Sequence, residues 1–389
     1  MKLGDISVLN ATNIDTSTRS SNAWRYLETS ELKRNRIGEY RLLDGSSETW
    51  PSRAKRLVQP GTIVFSAVRP DQEHHGIISD GNQLVVSTGF ATIDIKDDRY
   101  SNWFVYAYLS HPNVTKYLHN LASLSASAYP TLSFDDLAGL PIPDIAERDA
   151  ENIAQGFRCI HDALSTKLEM KRKLLRLLEL RFLQDFGHRQ IVGQGVRADI
   201  GEQIANFGSV SFMEFIKPGI SHFAGSREYA ATADIGDLEI SPALPRVTFD
   251  SKESRADMQP QDLSLWIAKM KNTRKRLFYL NNASSNDNIE ILSTGMQGFQ
   301  VEPEWFSFLF SSIFSTVFES QKNLLATGAT QEAVNLADLA GIPFVLPDLK
   351  VVKEHQRFAM PIISKLKLME QQARSIEQLI PRFLNYHFS

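Results

Sequence analysis

The sequence is poor in cysteine, since Cys159 is the only one in 389 residues. A single cysteine cannot form a disulfide within the chain, which excludes a disulfide-stapled secreted fold and favours a reducing compartment. No apolar run reaches the roughly 18 residues of a membrane span, and the first residues lack the basic and then apolar blocks of a signal peptide. These absences predict a cytoplasmic protein that does not contact a membrane.

The sequence also lacks an excess of positive charge and the common catalytic motifs. A formal net charge of −3 excludes a uniformly basic surface but leaves room for local basic patches. There is no glycine-rich phosphate loop with its lysine and no Asn-Pro-Pro-aromatic signature of an amino-methyltransferase. The adjacent His74 and His75 have no second His or Cys pair at metal-ligand spacing, so we predict that both lie at the surface. We expect no cofactor or metal bound by this chain.

One long unit occurs twice in the sequence. "DLAGLPIPD" at Asp136–Asp144 returns as "DLAGIPFVLPD" at Asp338–Asp348, and "SRAKRLVQPGTIVFSAVRP" at Ser52–Pro70 returns as "SRADMQPQDLSLWIAKMKN" at Ser254–Asn272. Five further segment pairs occur elsewhere in the two copies, and all seven pairs have the same order and a nearly constant spacing. This ordered set of matches indicates a tandem duplication of a unit of roughly 200 residues.

Each copy has the same order of predicted elements. Short segments rich in β-branched residues and bounded by Gly, Pro, Asn and Asp predict strands. A proline-containing segment then ends the globular part, because proline removes a backbone donor and restricts its predecessor to extended geometry. The long segment that follows has an apolar residue every three or four positions, which predicts a helix with an a/d seam. The seam residues are Ile153, Phe157, Ile160, Leu164, Leu168, Leu175, Leu178 and Phe182 in the first copy and Ile362, Leu366, Met369, Ala373, Ile376, Ile380 and Phe383 in the second.

The predicted fold is therefore α+β, with two tandem β-rich domains related by a pseudo-twofold axis and separated by two long antiparallel helices. The predicted boundaries are 1–143 for the first β-rich domain, 144–190 for the first helix and 191–205 for a linker. The second β-rich domain is predicted at 206–348 and the second helix at 349–389.

Two groups of basic residues are candidates for binding a polyanion. Positive side chains supply most of the non-specific affinity for DNA, and arginines on loops also read base edges. A solvated charged face is the alternative interpretation. The candidates are Arg25, Lys33, Arg34, Arg36, Arg53, Lys55, Arg56 and Arg69 in the first copy and Lys269, Lys271, Arg274, Lys275 and Arg276 in the second.

Two alternatives to DNA recognition remain open at this point. A duplicated unit with long helices is compatible with a scaffold that joins partners without reading DNA. Pro70-Asp71 followed by Asp94–Lys96 has the shape of a PD-(D/E)xK nuclease motif, in which two carboxylates hold a metal ion. The corresponding positions of the second copy do not repeat this motif.

Several segments resemble the specificity subunits of type I restriction-modification enzymes. "GTIVFSAVRP" (Gly61–Pro70) is similar to that family's GD-I-x-x-S-x-x-R-P strand, and "STGFATI" (Ser87–Ile93) to its S-x-G-F strand. "SASAYPTLSFDDLAGLPIP" (Ser125–Pro143) resembles its G-x-x-Y-P closing segment, and "ATGATQEAVNLADLAGIPFVLP" (Ala326–Pro347) the alternative G-x-T-Q form. The matches occur in the order typical of the family and are duplicated, and the pattern extends over essentially the whole chain.

The resemblance implies a non-catalytic subunit that selects a bipartite target in double-stranded DNA. The two β-rich domains would be target recognition domains, and the helices would be spacers that also dock two modification subunits. S-adenosylmethionine would be bound by these methyltransferase subunits, and ATP and Mg by restriction subunits that translocate and cleave DNA. The resemblance adds three DNA-binding candidates from the closing segments, namely Tyr129, Thr330 and Gln331.

Overall fold

The structure, a computed structural model, describes residues 1–15, 19, 23–33, 35–45, 50–125, 129–187, 203–280, 290–328 and 332–388. Contacts divide the chain into two compact units. Unit 1 comprises Met1–Ala163 together with Leu379–Ser389, and unit 2 comprises Leu164–Gln378. Both unit boundaries fall inside a long helix, whereas the boundaries predicted from the duplication assign each long helix to a single segment. The predicted boundaries stay predictions.

Unit 1 contains two four-stranded sheets. One has the order β1-β10-β7-β8 and is antiparallel, and the other has the order β5-β2-β9-β6, in which only β2 and β9 are parallel. A hairpin of β3 and β4 is added. The strands are β1 (Ser7–Leu9), β2 (Ala23–Leu27), β3 (Leu32–Lys33), β4 (Arg36–Ile37), β5 (Arg41–Asp44), β6 (Ala54–Leu57), β7 (Ile63–Ser66), β8 (His75–Ile77), β9 (Leu84–Ser87) and β10 (Phe90–Ile95). The helices are α1 (Leu3–Ile6), α2 (Asn102–Leu109), α3 (Pro112–Ala122), α4 (Phe134–Ala138) and the beginning of α5 (Glu147–Phe186).

Unit 2 repeats both sheets. Their orders are β12-β19-β16-β17 and β14-β13-β18-β15, with β13 and β18 as the parallel pair. A two-stranded sheet of β11 and β20 is added. The strands are β11 (Gln203–Asn206), β12 (Met213–Ile216), β13 (Arg227–Ala230), β14 (Arg246–Val247), β15 (Ala256–Met258), β16 (Ser264–Ala268), β17 (Arg276–Tyr279), β18 (Ile291–Ser293), β19 (Met296–Val301) and β20 (Pro343–Leu346). The helices are α6 (Phe306–Ile313), α7 (Thr316–Leu325), α8 (Leu336–Ala340) and most of α9 (Leu349–Phe388). The predicted α+β duplication is confirmed.

The repeated "DLAG" letters build one helical turn in each unit. In α4 the Ser133 hydroxyl accepts a hydrogen bond from the backbone N–H of Asp136 at 3.0 Å, and in α8 the Asn335 side chain accepts one from Asp338 at 2.8 Å. Such caps satisfy a backbone donor that the helix itself leaves unpaired. The aspartate of "DLAG" is therefore the third helical residue of a capped turn.

The alanine of "DLAG" explains a glycine that is also repeated. A Cβ atom on Gly4 would lie 3.2 Å from the Ala138 Cβ, and one on Gly208 would lie 2.7 Å from the Ala340 Cβ. The start of each globular part thus packs directly on its closing turn, and this close approach leaves little room for a side chain at Gly4 and none at Gly208 without a shift.

The two long helices are antiparallel within each unit. In unit 1 the Phe157 and Phe383 rings stack with their centroids 6.3 Å apart. In unit 2, Lys167 donates to Gln372 at 2.7 Å, and Asp185 lies 2.8 Å from His355. The residue number falls along α9 as it rises along α5, as predicted. Predicted seam residues complete the cores, since Phe157 belongs to the core of unit 1, and Leu178 and Phe182 belong to that of unit 2.

The surface position predicted for His75 is wrong. Its side chain is only 1% exposed, and its Nε2 atom lies 3.0 Å from the Ser110 hydroxyl. Burial lowers the pKa of His75 to about 3, so the imidazole is neutral at ordinary pH. The sequence did not reveal this because the short strand β8 is buried along its whole length, without alternation.

Among the described helices, none combines the length and the apolar content that crossing a membrane requires.

Candidate nucleic-acid interface

Each unit places an arginine at the same position of a matched pattern of backbone hydrogen bonds, which we call the backbone frame. The Ser-Arg-Ala tripeptide enters β6 in unit 1 and β15 in unit 2. The carbonyl of Arg53 accepts a hydrogen bond from the Thr88 N–H at 2.8 Å, and the carbonyl of Arg255 accepts one from the Thr294 N–H, also at 2.8 Å. The repeated sequences Ser-Arg-Ala and Ser-Thr-Gly are therefore in contact in each unit.

The Ser-Thr-Gly turn is also the same in both units. The Ser87 hydroxyl accepts a bond from the Gly89 N–H at 3.2 Å, and the Ser293 hydroxyl accepts one from Gly295 at 3.2 Å. A Cβ on Gly89 would lie 3.2 Å from the Arg53 Nη2 atom. Because Gly89 has no side chain, the Arg53 guanidinium can lie against the turn.

Arg53 and Arg255 are both exposed, and neither has an ion pair or a side-chain hydrogen bond in the described parts of the chain. Each guanidinium charge acts on a nearby tyrosine, Tyr26 in unit 1 and Tyr229 in unit 2, although burial is the larger effect and raises both tyrosine pKa values. A matched, exposed cation without a partner suits contact with an external anion. Arg255 was not among the predicted residues, although the repeated Ser-Arg-Ala tripeptide could have revealed it.

A second matched position follows the central strand of each unit. The N–H of Arg69 donates to the Pro130 carbonyl at 2.9 Å, and the N–H of Lys271 donates to the Glu332 carbonyl at 2.9 Å. The side chains differ despite this shared frame. The Arg69 guanidinium lies 4.5 Å from the centroid of the Tyr129 ring, which is 56% exposed. The Lys271 Nζ atom instead lies 2.8 Å from a carboxylate oxygen of Glu332.

Other candidates of the first copy lie in different surroundings. Arg25 forms an ion pair with Asp80 at 3.0 Å. The charge of Arg36 acts on the buried Tyr106, and Lys55 is exposed on β6. Arg56 is buried. The side chain of Lys33 and all of Arg34 lie outside the described residues, as do Thr330 and Gln331 of the second copy.

The basic segment of the second copy is largely engaged by unit 2 itself. Lys275 donates to the Thr232 carbonyl at 2.5 Å, and the Arg274 Nε atom lies 3.5 Å from Asp237. Lys269 is half-buried, and burial, followed by the charge of Arg255, lowers its pKa. The sequence alone could not show these contacts, because the partners are distant along the chain.

Arg276 is engaged by partners inside unit 2 and is not available for its predicted DNA contact. Its side chain is 3% exposed, and its Nε atom donates to Asp237 at 2.6 Å. It also donates to the Phe314 carbonyl, and its guanidinium lies 5.0 Å from the Phe314 ring centroid. Arg276 therefore acts within the fold of unit 2.

The carboxylates of the nuclease motif have separate partners. Asp71 lies 2.9 Å from the His119 Nδ1 atom, whereas Asp94 accepts a hydrogen bond from the Thr62 hydroxyl at 2.5 Å. Within the described ranges, no group of three His, Cys, Asp or Glu side chains could hold a metal ion. This geometry gives the nuclease alternative no support.

Comparisons with known proteins agree with the motifs. No family model matches the sequence. The type I restriction enzyme HindI specificity subunit of Haemophilus influenzae is 25% identical over 130 residues, which are 33% of this chain and 28% of that protein. The match thus spans less than a third of that relative. It confirms the resemblance to specificity subunits that the motifs indicated.

Solved structures of such subunits align along the whole chain. An HsdS subunit from Thermoanaerobacter tengcongensis is 14% identical with a TM-score of 0.40, and the alignment covers 100% of this chain and 95% of that one. The S subunit of a type I restriction-modification system from M. genitalium is 11% identical with a TM-score of 0.49, with the same coverage.

Proposed function

We propose that this chain is the DNA-recognition subunit of a type I restriction-modification complex and reads a bipartite double-stranded target without catalysing a reaction. The observation that carries the proposal is the matched pair Arg53 and Arg255. Two units of one topology each present an exposed arginine on the same backbone frame, and neither arginine is paired within the described residues. Phosphate contacts of this kind fix a protein's register on DNA.

The differences between the units support two separate half-sites. At the matched positions that follow the central strands, Arg69 stacks on Tyr129 whereas Lys271 pairs with Glu332. Arginine reads guanine edges, and glutamate accepts hydrogen bonds from cytosine. The shared backbone frame therefore suits both units to contact the DNA backbone in the same way. The different side chains suit them to read different bases.

The two long helices supply the surface for the proposed partners. Met170, Leu177 and Leu180 of α5 and Leu368 of α9 are each more than 40% exposed. Exposed apolar side chains that group together on a helix surface are typical of interaction sites. We assign this surface to two modification subunits, which would bind S-adenosylmethionine. Restriction subunits, with ATP and Mg, would join the same complex on cellular DNA.

Sequencing of methylated bases tests the proposal. Cells that express this chain with its modification subunit are expected to carry one methylated motif, consisting of two short half-sites with a fixed gap. Cells that express the modification subunit alone are the control and should lack that motif. A motif that persists without this chain would favour the scaffold interpretation, whereas the absence of any motif would contradict DNA recognition.

A further inference from the structure

Arg56 is a buried arginine without an acceptor among the described residues. Its side chain is 8% exposed, and its Nε and Nη1 atoms are buried with no hydrogen-bond partner in the described part of the chain. The guanidinium lies over the Phe134 ring, 4.9 Å from the centroid. The ring offers a cation–π contact, but it accepts none of the in-plane N–H groups.

Such an arrangement is unfavourable when the protein stands alone. A buried charge normally has a partner of opposite sign, and an arginine keeps its charge under nearly all conditions. Burial lowers the pKa of Arg56 from its ordinary value, and no carboxylate among the described residues offsets this effect. An anion from outside the chain would supply the missing acceptors.

The second unit shows that the strand does not need an arginine here. In β6, Arg56 pairs with Val86 after a bulge, and in β15 Met258 pairs with Leu292 after the same kind of bulge. Met258 is 1% exposed and belongs to an apolar core. The matched position thus accepts an apolar side chain of similar length, and Arg56 has a role that is specific to the first unit.

We propose, on the basis of the proposed function, that Arg56 receives a phosphate of the target DNA in unit 1. Two exposed cations, Arg53 and Lys55, lie within three residues of it on the same strand segment. Three cations within four residues of sequence favour a polyanion over a single carboxylate of a protein partner. The planar guanidinium can hold two phosphate oxygens at once, which a lysine cannot do in the same geometry.

The test uses Arg56→Met, which copies the residue of the second unit. In the complete complex with its modification subunits, binding to a duplex that contains the methylated motif is measured at several salt concentrations. We expect the affinity to fall about tenfold and the slope of log K against log salt to become shallower by about one. The denaturation midpoint of the variant should equal or exceed that of the wild type, because an unpaired buried charge is removed.

Two further variants sharpen the result. Arg56→Lys keeps the charge and should restore the salt slope while recovering only part of the affinity, because lysine does not form the two-oxygen contact. Arg99→Met is the control, since Arg99 is exposed and paired with Asp97 at 3.0 Å, and it should leave DNA binding unchanged.

Each other outcome has a distinct meaning. Unchanged affinity and slope in Arg56→Met, with normal wild-type binding, would overturn the phosphate contact and leave the proposed function standing. A lower denaturation midpoint would make Arg56 a structural residue. Weaker assembly with the modification subunits at unchanged DNA affinity would assign the missing acceptor to a protein carboxylate. A wild-type complex that does not distinguish the motif from other DNA would overturn the proposed function itself.

Discussion

The double variant Arg53→Ala/Arg255→Ala is expected to weaken binding of the complex to its target about a hundredfold, or about 3 kcal/mol. Both arginines are exposed and unpaired among the described residues, and both hold the same backbone position against a Ser-Thr-Gly turn. Each lost phosphate contact should make the salt slope shallower by about one. The double variant should therefore lower the slope by about two. It should have little effect on stability, because both side chains are exposed and have no partner in the described ranges.

The single variants locate the contacts. Arg53→Ala and Arg255→Ala should each weaken binding about tenfold, and their effects should add because they act in different units. Arg158→Ala is a suitable control, because Arg158 is exposed on α5 and only 3.5 Å from its own partner Asp162. Binding and salt slope are measured by titration of a labelled duplex. An unchanged slope in the double variant would remove both arginines from the interface.

Arg276→Ala is expected to lower the free energy of unfolding of unit 2 by about 3 kcal/mol. The variant removes a 3% exposed guanidinium, which leaves the Phe314 carbonyl without this donor and Asp237 with only its 3.5 Å contact to Arg274. Buried polar groups that lose a partner suffer the full cost of desolvation. The measurement is urea denaturation followed by tryptophan fluorescence.

Arg274→Ala is the matched control for that experiment. Arg274 contacts the same Asp237, but at 3.5 Å and with its side chain 50% exposed, so its loss should cost well under 1 kcal/mol. If Arg276→Ala kept the wild-type stability and weakened DNA binding instead, Arg276 would be an interface residue, as its place in the basic segment first indicated.

The features of the fold that occur twice could be predicted from the sequence. The "DLAG" turns and the helix seams could be recognised because both copies keep residues with the same physical role. One example is the glycine that packs on the alanine of each turn, Gly4 on Ala138 and Gly208 on Ala340. The parallel pairing of β2 with β9 was not predictable, because it joins strands whose separation along the chain leaves no local signal.

The candidate site was less accessible to sequence reasoning. Basic residues were found by composition, but composition does not distinguish the exposed Arg53 from the buried Arg56 and Arg276. That distinction depends on whether a strand alternates between core and surface and on partners such as Asp237 that are distant in sequence. The comparison of matched positions in the two units separates these cases and also brings out Arg255.

Exchange of the first globular part tests the central claim most directly. Residues 1–143 are replaced by the corresponding segment of a specificity subunit with a different known target. The chimeric chain keeps both long helices of this protein. Methylated bases are then sequenced in cells that also express the modification subunit. Two independent readers predict that one half-site changes to that of the donor while the other half-site is retained. A motif in which both halves change, or neither does, would contradict the account.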